Sequence, residues 1–303
     1  MGIWLGKILR NDCIKNFSSV NNFNINEQRR DFMQLLSPKN DVVFQKLFGR
    51  NENKDILISF LNSIIIEAGN IRIADVKIEE KKIDVSMLIN EKISILDIYV
   101  TTDIGTHINI EMQIINEYNM IKRTLYYWSK MFLKQLVKGE NYSKLEKTIT
   151  INLIDFNIDN SDNVHNYYHL INDKTNKRLT DIMEIHFIDM KKFREHGNID
   201  NDKLEKWLQF IEDPNGEESD SMASIDSDIG KAKEILSLLS CDDDVKALAE
   251  LREKALMDEK SRIEGALKKN TLEIANNLLD VLDDETIALK TGLSIEEVKV
   301  LRK

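Results

Sequence analysis

The sequence predicts an α/β fold: a mixed β-sheet flanked by helices, followed by a helical C-terminal tail. Three observations predict it. Apolar residues recur at helical spacing over 38–65 and then switch to a period of two from Ile71. A strand meander follows. A basic amphipathic helix then separates that meander from a further β-branched strand, an order that layers helices on a sheet.

Residues 1–33 are polar, Asn-rich and weakly patterned, and read as an N-terminal extension, flexible rather than an ordered arm. In LSPKNDVVFQKLFG, Pro38 and Asn40 or Asp41 mark a helix start. Val43, Phe44, Leu47 and Phe48 form its apolar stripe. Gly49 and the polar run 50–54 break it, and Asp55 opens a second helix carrying Ile56, Leu57, Phe60 and Leu61. Asp41 has two readings: an acid that favours the helix N-terminus, or a side chain that reaches a cluster of acids further along. IRIADVKIEE is strand-like, and KKIDVSMLI is a second short strand or its continuation.

Residues 94–114, SILDIYVTTDIGTHINIEMQI, read as a hairpin. Asp103-Ile104-Gly105 fits a three-residue loop with Gly105 in the left-handed position. Thr102 then faces Thr106, and Asp97 lies opposite Glu111. Alternation puts Leu96, Ile98, Val100, Ile108, Ile110, Met112 and Ile114 on a core face. The other face carries Ile95, Asp97, Tyr99, Thr101, His107, Asn109, Glu111 and Gln113. Two opposed carboxylates repel unless a cation or a proton lies between them. An oxygen-lined site of that kind suits Mg2+, or Mn2+. Paired surface acids with no role give the same pattern. His107 reads as a solvated strand residue.

Residues 119–139 read as a helix with Arg123, Tyr127, Lys130, Lys134 and Lys138 on one face. Leu125, Trp128, Phe132 and Leu136 form the opposing apolar stripe. Residues 119–150 hold seven basic and two acidic side chains. That local excess matters because the net charge, −10, otherwise argues against a nucleic-acid partner. The acidity resides in 212–303, which sums to −10, whereas 34–211 sums to −2. A basic helix beside two acids is what a phosphodiester substrate needs; a merely solvated basic face is the plainer alternative.

KTITINLIDF reads as a buried strand of the same sheet, 164–172 and 182–188 as shorter strands, and 189–210 as a helix. The folded domain is therefore expected over 34–211. Residues 212–230 carry seven acids and no base, and read as an acidic linker. Residues 231–303 read as a helical region. Its end, ETIALKTGLSIEEVKVLRK, resembles a helix-turn-helix, but Glu296 and Glu297 would sit badly near phosphates, which favours a packing or protein-interaction role. Cys13 and Cys241 form no metal or disulfide pattern. With no membrane span and no signal-peptide pattern, a cytoplasmic protein is expected.

LSPKNDVVFQKLFG, SILDIYV, NIEMQ and RTLYYWSK, in this order, resemble the Rpn family of recombination-promoting nucleases and transposases, within the PD-(D/E)XK nuclease superfamily. The resemblance spans about 35–193, and IANNLL and TGLSIEEV extend it into the tail. It implies a restriction-endonuclease-like PD-(D/E)XK core and metal-dependent DNA cleavage. Asp97 falls on the first acid of the motif and Glu111 on the second. Gln113 falls where the superfamily usually carries lysine, and orients water without supplying charge. Asp41 matches the N-terminal acid, an accessory metal ligand. Arg123 and Tyr127 match substrate-contacting positions, with Lys130 and Lys134 beside them; Lys130 is a candidate to replace the missing lysine. The expected cofactor is Mg2+, with Mn2+ as the substitute, and the expected partner is DNA. A homodimer is a candidate assembly, because cutting both strands often needs two sites. The rival reading is a catalytically degenerate DNA-binding or protein-interaction module of the same fold. A transposase that also joins strands is the third.

Overall fold

The computed structural model describes residues 34–79, 98–197 and 201–302. Helix α1 (Asp41–Phe48) starts where Asn40 caps it, the side-chain oxygen accepting from the Val42 amide at 3.1 Å. Helix α2 is Lys54–Ile65. Phe48 and Phe60 stack at 5.2 Å, and the buried Trp207 ring lies 5.6 Å from each. This aromatic cluster joins the two N-terminal helices to a helix more than 140 residues later.

Three strands follow: β1 (Val76–Ile78), β2 (Ile98–Thr102) and β3 (His107–Gln113). The strand candidate at 81–89 and the acid Asp97 lie outside the described residues. The hairpin has the expected register, with Ile98 opposite Ile110 and Thr101 opposite His107. Thr102 N–H donates to Thr106 O at 2.9 Å, and Gly105 N–H donates to Thr102 O at 3.0 Å. Gly105 has φ +87°, which residues with a Cβ rarely adopt.

Helix α3 (Met120–Leu133) leads to β4 (Thr148–Ile154), β5 (His165–Tyr168) and β6 (Met183–Asp189). The sheet order is β1-β2-β3-β4-β6-β5. The centre, β3-β4-β6, is parallel; the other pairings are antiparallel. One face buries Ile98, Val100, Ile108, Ile110, Met112, Ile149, Ile151 and Leu153 against the helical layer. The expected apolar hairpin face is thus the core face from Ile98 to Met112, while Ile114, past the end of β3, is half-buried. The opposite face of β3 and β4 carries Asn109, Glu111, Gln113, Thr148, Thr150 and Asn152, all buried beneath α3.

Two expectations are corrected here. The helix expected over 189–210 is two, α4 (Met190–His196) and α5 (Asp202–Glu212). Gly197, at φ +63°, ends the first by donating its N–H to Phe193 O at 2.8 Å. The expected acidic linker at 212–230 is helical: α6 (Glu217–Ile225) and the start of α7 (Ser227–Cys241). Glu217, Glu218 and Asp220 face outward and Asp226 caps α7, whereas Ile229, Ala232 and Leu236 belong to the main core. Helix α8 (Asp243–Leu278) begins within this unit, which ends at Arg252.

The second unit, Glu253–Lys303, has its own small core of Ala275, Ile287 and Val298. Helix α9 (Asp284–Thr291) stops at Gly292, and α10 (Ile295–Leu301) starts with the expected capping box between Ser294 and Glu297. No helix among the described residues is long and apolar enough to cross a membrane.

Candidate active site

Strand alternation brings Asn109, Glu111 and Gln113 to the face of β3 that α3 covers. The Glu111 side chain is 2% exposed, and the Arg123 guanidinium of α3 forms an ion pair with it. Arg123 also approaches Glu117 at 3.6 Å and lies 5.7 Å from the Tyr127 ring centroid. Burial pushes the Glu111 carboxyl above its ordinary value; Arg123 opposes that shift. Oε2 of Glu111 accepts no hydrogen bond among the described residues.

The packing of α3 differs from the expected one. Its buried face is Met120, Thr124 and Met131, with Arg123 and Tyr127 turned to one flank, while Leu125 is 42% exposed. The floor beneath it is the reason. Alternate residues of β4 present Thr148, Thr150 and Asn152, so the helix docks through polar contacts. Thr124 Oγ1 donates to Asn152 Oδ1 at 3.2 Å, and Trp128 Nε1 donates to Thr148 O at 2.9 Å. An all-apolar stripe against that floor would leave these groups unpaired. Lys130 and Lys134 remain exposed. On the other flank a cavity of about 270 Å3 is lined by the apolar Ile121, Leu125, Met183, Ile185 and Phe187 together with Asp159, Tyr168 and His169.

Gln113 is 4% exposed, and its Nε2 donates to the Ile115 carbonyl at 3.0 Å. Asp41 is not brought to this site. Its carboxylate is gripped by Arg252, with Nε–Oδ2 and Nη2–Oδ2 distances of 2.8 and 2.6 Å, inside a pocket that leaves both side chains under one-tenth exposed. The expectation of Asp41 as an accessory ion ligand is therefore corrected: a buried guanidinium already neutralises it. Among the described residues no three acids, histidines or cysteines converge as a metal centre. The donors that do surround Glu111 are hard oxygens, which fit magnesium or manganese better than a softer ion. Beside Glu111 Oε2, the buried Asn109 Oδ1 and Thr150 Oγ1 also lack a hydrogen-bond partner among the described residues. Each such atom left dry costs about 1–3 kcal/mol.

A second polar cluster, on the opposite face of the sheet, escaped the sequence reading. His165 Nε2 meets His186 Nδ1 at 2.9 Å, and His186 Nε2 meets the fully buried Glu184 at 2.7 Å. His169 Nε2 and Lys147 Nζ each reach the other Glu184 oxygen at 2.8 Å. The signal was the i, i+2 spacing of Glu184 and His186 on one strand, which the short-strand reading passed over. Burial, aided by His186 and opposed by Glu67, holds His165 down to about 4. Burial alone would raise Glu184, but His186 and Lys147 outweigh it and hold the carboxyl below its ordinary value. An unfolded chain binds a proton on this histidine near pH 6.5, which the folded chain refuses until about pH 4. The stability this contributes is complete above that window and is lost as pH falls through it. Urea midpoints should therefore drop between about pH 6.5 and 4, and His165→Gln should flatten that slope.

No curated protein and no solved structure matches the chain. The family model for PD-(D/E)XK nuclease family transposases matches residues 38–266, from two residues before the N-cap of α1 into α8 and so across the whole sheet. The chain belongs to the PD-(D/E)XK nuclease family transposases.

Proposed function

We propose that the chain is a divalent-metal-dependent DNA endonuclease whose ion is held by Glu111 and Asp97, with the backbone carbonyl near residue 112. One observation carries the reading: a carboxylate buried beneath a cationic helix, on the hairpin strand where the resemblance puts the second acid of the motif. The pairing of Asp97 with Glu111 is the one the hairpin pattern of the sequence implies, and the described register runs as far as the Ile98–Ile110 pair. A bound magnesium or manganese ion would polarise the scissile phosphate and acidify a water. The chain's own residues do the rest. Glu111 and Asp97 supply hard anionic oxygens. Lys130 and Lys134 are exposed on α3 and hold the phosphate backbone electrostatically. Arg123 and Tyr127 lie between those lysines and Glu111 along the helix, where they meet a phosphate entering the site. Gln113 keeps its carbonyl oxygen for water, because its amide nitrogen is committed to Ile115.

One observation favours the rival, a binding module without catalysis: Glu111 is already neutralised by Arg123, and no lysine stands at 113. A supercoiled plasmid separates the two. Nicking or linearisation with Mg2+, absent with chelator and absent in Asp97→Ala, is expected. Retention of DNA with no cut product in Mg2+ or Mn2+ would establish the binding module instead, and cutting that survives Asp97→Ala would remove Asp97 from the site.

A further inference from the structure

Three buried oxygens lie in one patch beneath α3. Asn109 precedes Glu111 by two residues, so both side chains leave β3 on the same face. Thr150 is the parallel partner of Asn109 on β4. Neighbouring strands lie about 4.8 Å apart, so the Thr150 side chain stands beside that of Asn109. Asn109 is 2% exposed and Thr150 1%. Among the described residues, Asn109 Oδ1, Thr150 Oγ1 and Glu111 Oε2 all lack a hydrogen-bond partner.

Their neighbours are not in this condition. Asn152, the next outward-facing residue on β4, gives both ends of its amide to partners: Nδ2 donates to His186 O at 2.9 Å, and Oδ1 accepts from Thr124. Thr148 Oγ1 accepts from Gln135 Nε2 at 2.7 Å. Among the described residues of β3 and β4 on this face, the deficit is therefore confined to the oxygens around Glu111, with Gln45 Oε1, Asp189 Oδ2 and Trp207 Nε1 the other such atoms elsewhere in the fold. Native interiors pair their buried polar atoms with protein, water or an ion, so three adjacent acceptors without protein partners mark a place for a hydrated cation. Magnesium in particular keeps several of its waters and binds through few direct carboxylate contacts.

We infer that Asn109 and Thr150 are positioning residues for the ion at Glu111, accepting hydrogen bonds from its retained waters. This rests on the metal-dependent reading above. It adds Asn109 and Thr150 to the water-ordering that Gln113 Oε1 supplies, Gln113 Nε2 being tied to Ile115. Both side chains act through water and neither needs a charge, so the absent lysine is met by a polar floor rather than by a substitute cation.

The test is a calorimetric titration of Mg2+ alone, and of Mn2+ alone, into the full chain without DNA. It is run on wild type, Thr150→Val, Asn109→Leu, Thr150→Ser and Glu111→Gln, with thermal unfolding of each in chelator. Thr150→Val and Asn109→Leu are each expected to weaken Mg2+ about tenfold, as loss of outer-sphere partners does. In chelator both should unfold at or above the wild-type midpoint, because each removes a buried polar atom with no partner. Thr150→Ser, which keeps the hydroxyl, should bind Mg2+ as wild type does. Affinities within twofold of wild type for both apolar variants, with Glu111→Gln unable to bind, would overturn the inference and leave the metal site standing. Midpoints several degrees lower in chelator would also overturn it, since the oxygens would then serve the fold. A wild type that takes up neither ion would remove the metal-dependent reading itself.

Discussion

Glu111→Gln is expected to lower plasmid cleavage by about 10^3-fold or more while leaving a folded protein. The substitution keeps the shape of the side chain and deletes its charge, so what is lost is ion binding and the several kcal/mol of transition-state stabilisation a polarising ion supplies. The cost to folding follows from Arg123, whose side chain is 11% exposed and pairs with Glu111. Stripping a buried ion pair of one partner typically costs about 3–5 kcal/mol. Here the loss should be smaller, about 1–3 kcal/mol, because Glu117 stands 3.6 Å from the same guanidinium and can take the charge. Denaturant unfolding alongside the cleavage assay checks both halves. Full activity in Glu111→Gln would exclude this carboxylate from the chemistry. A collapse of stability without residual fold would make the activity loss uninformative, and Glu111→Asp would then separate charge from packing.

The hairpin was legible because its signals are local and agree. Gly105 fixes the turn, and alternating apolar residues fix which face is buried, so the pairing of 98 with 110 follows without knowledge of the rest. The orientation of α3 was not legible from its own pattern. Of its stripe, Trp128 reaches the floor and Phe132 and Leu136 are half-buried, but Leu125 is exposed, because a helix turns to match its floor, and β4 offers threonines and an asparagine at alternate positions. KTITINLIDF carries that information when read with period two; as a β-branched run it only says strand. The acidic stretch 212–230 misled in the same way. Counting seven acids hides the apolar residues that follow at helical spacing and enter the core, Ile229, Ala232 and Leu236. The Asp41–Arg252 pair, 211 residues apart, has no sequence signature at all. The second acid of the candidate site rests on register alone, because Asp97 lies outside the described residues.

Arg252→Met is expected to cost about 3–5 kcal/mol, because it leaves the Asp41 carboxylate buried and uncompensated. Asp41 also holds the first turn of α1, accepting from the Val42 amide at 3.0 Å, so the damage should spread to the helix that carries Phe44 and Phe48. Adding Asp41→Asn to Arg252→Met should restore about half of the loss, since a neutral amide buries at far lower cost than a stranded charge. The double variant also decides what Asp41 is for. Were it an accessory ion ligand, the double variant would lose affinity for Mg2+ along with the carboxylate. With Asp41 committed to Arg252, Mg2+ affinity should remain that of wild type once the fold is restored, and the resemblance to the family's N-terminal acid would then mark a structural clamp between the first helix and α8. A fall in affinity of tenfold or more would return Asp41 to the ion.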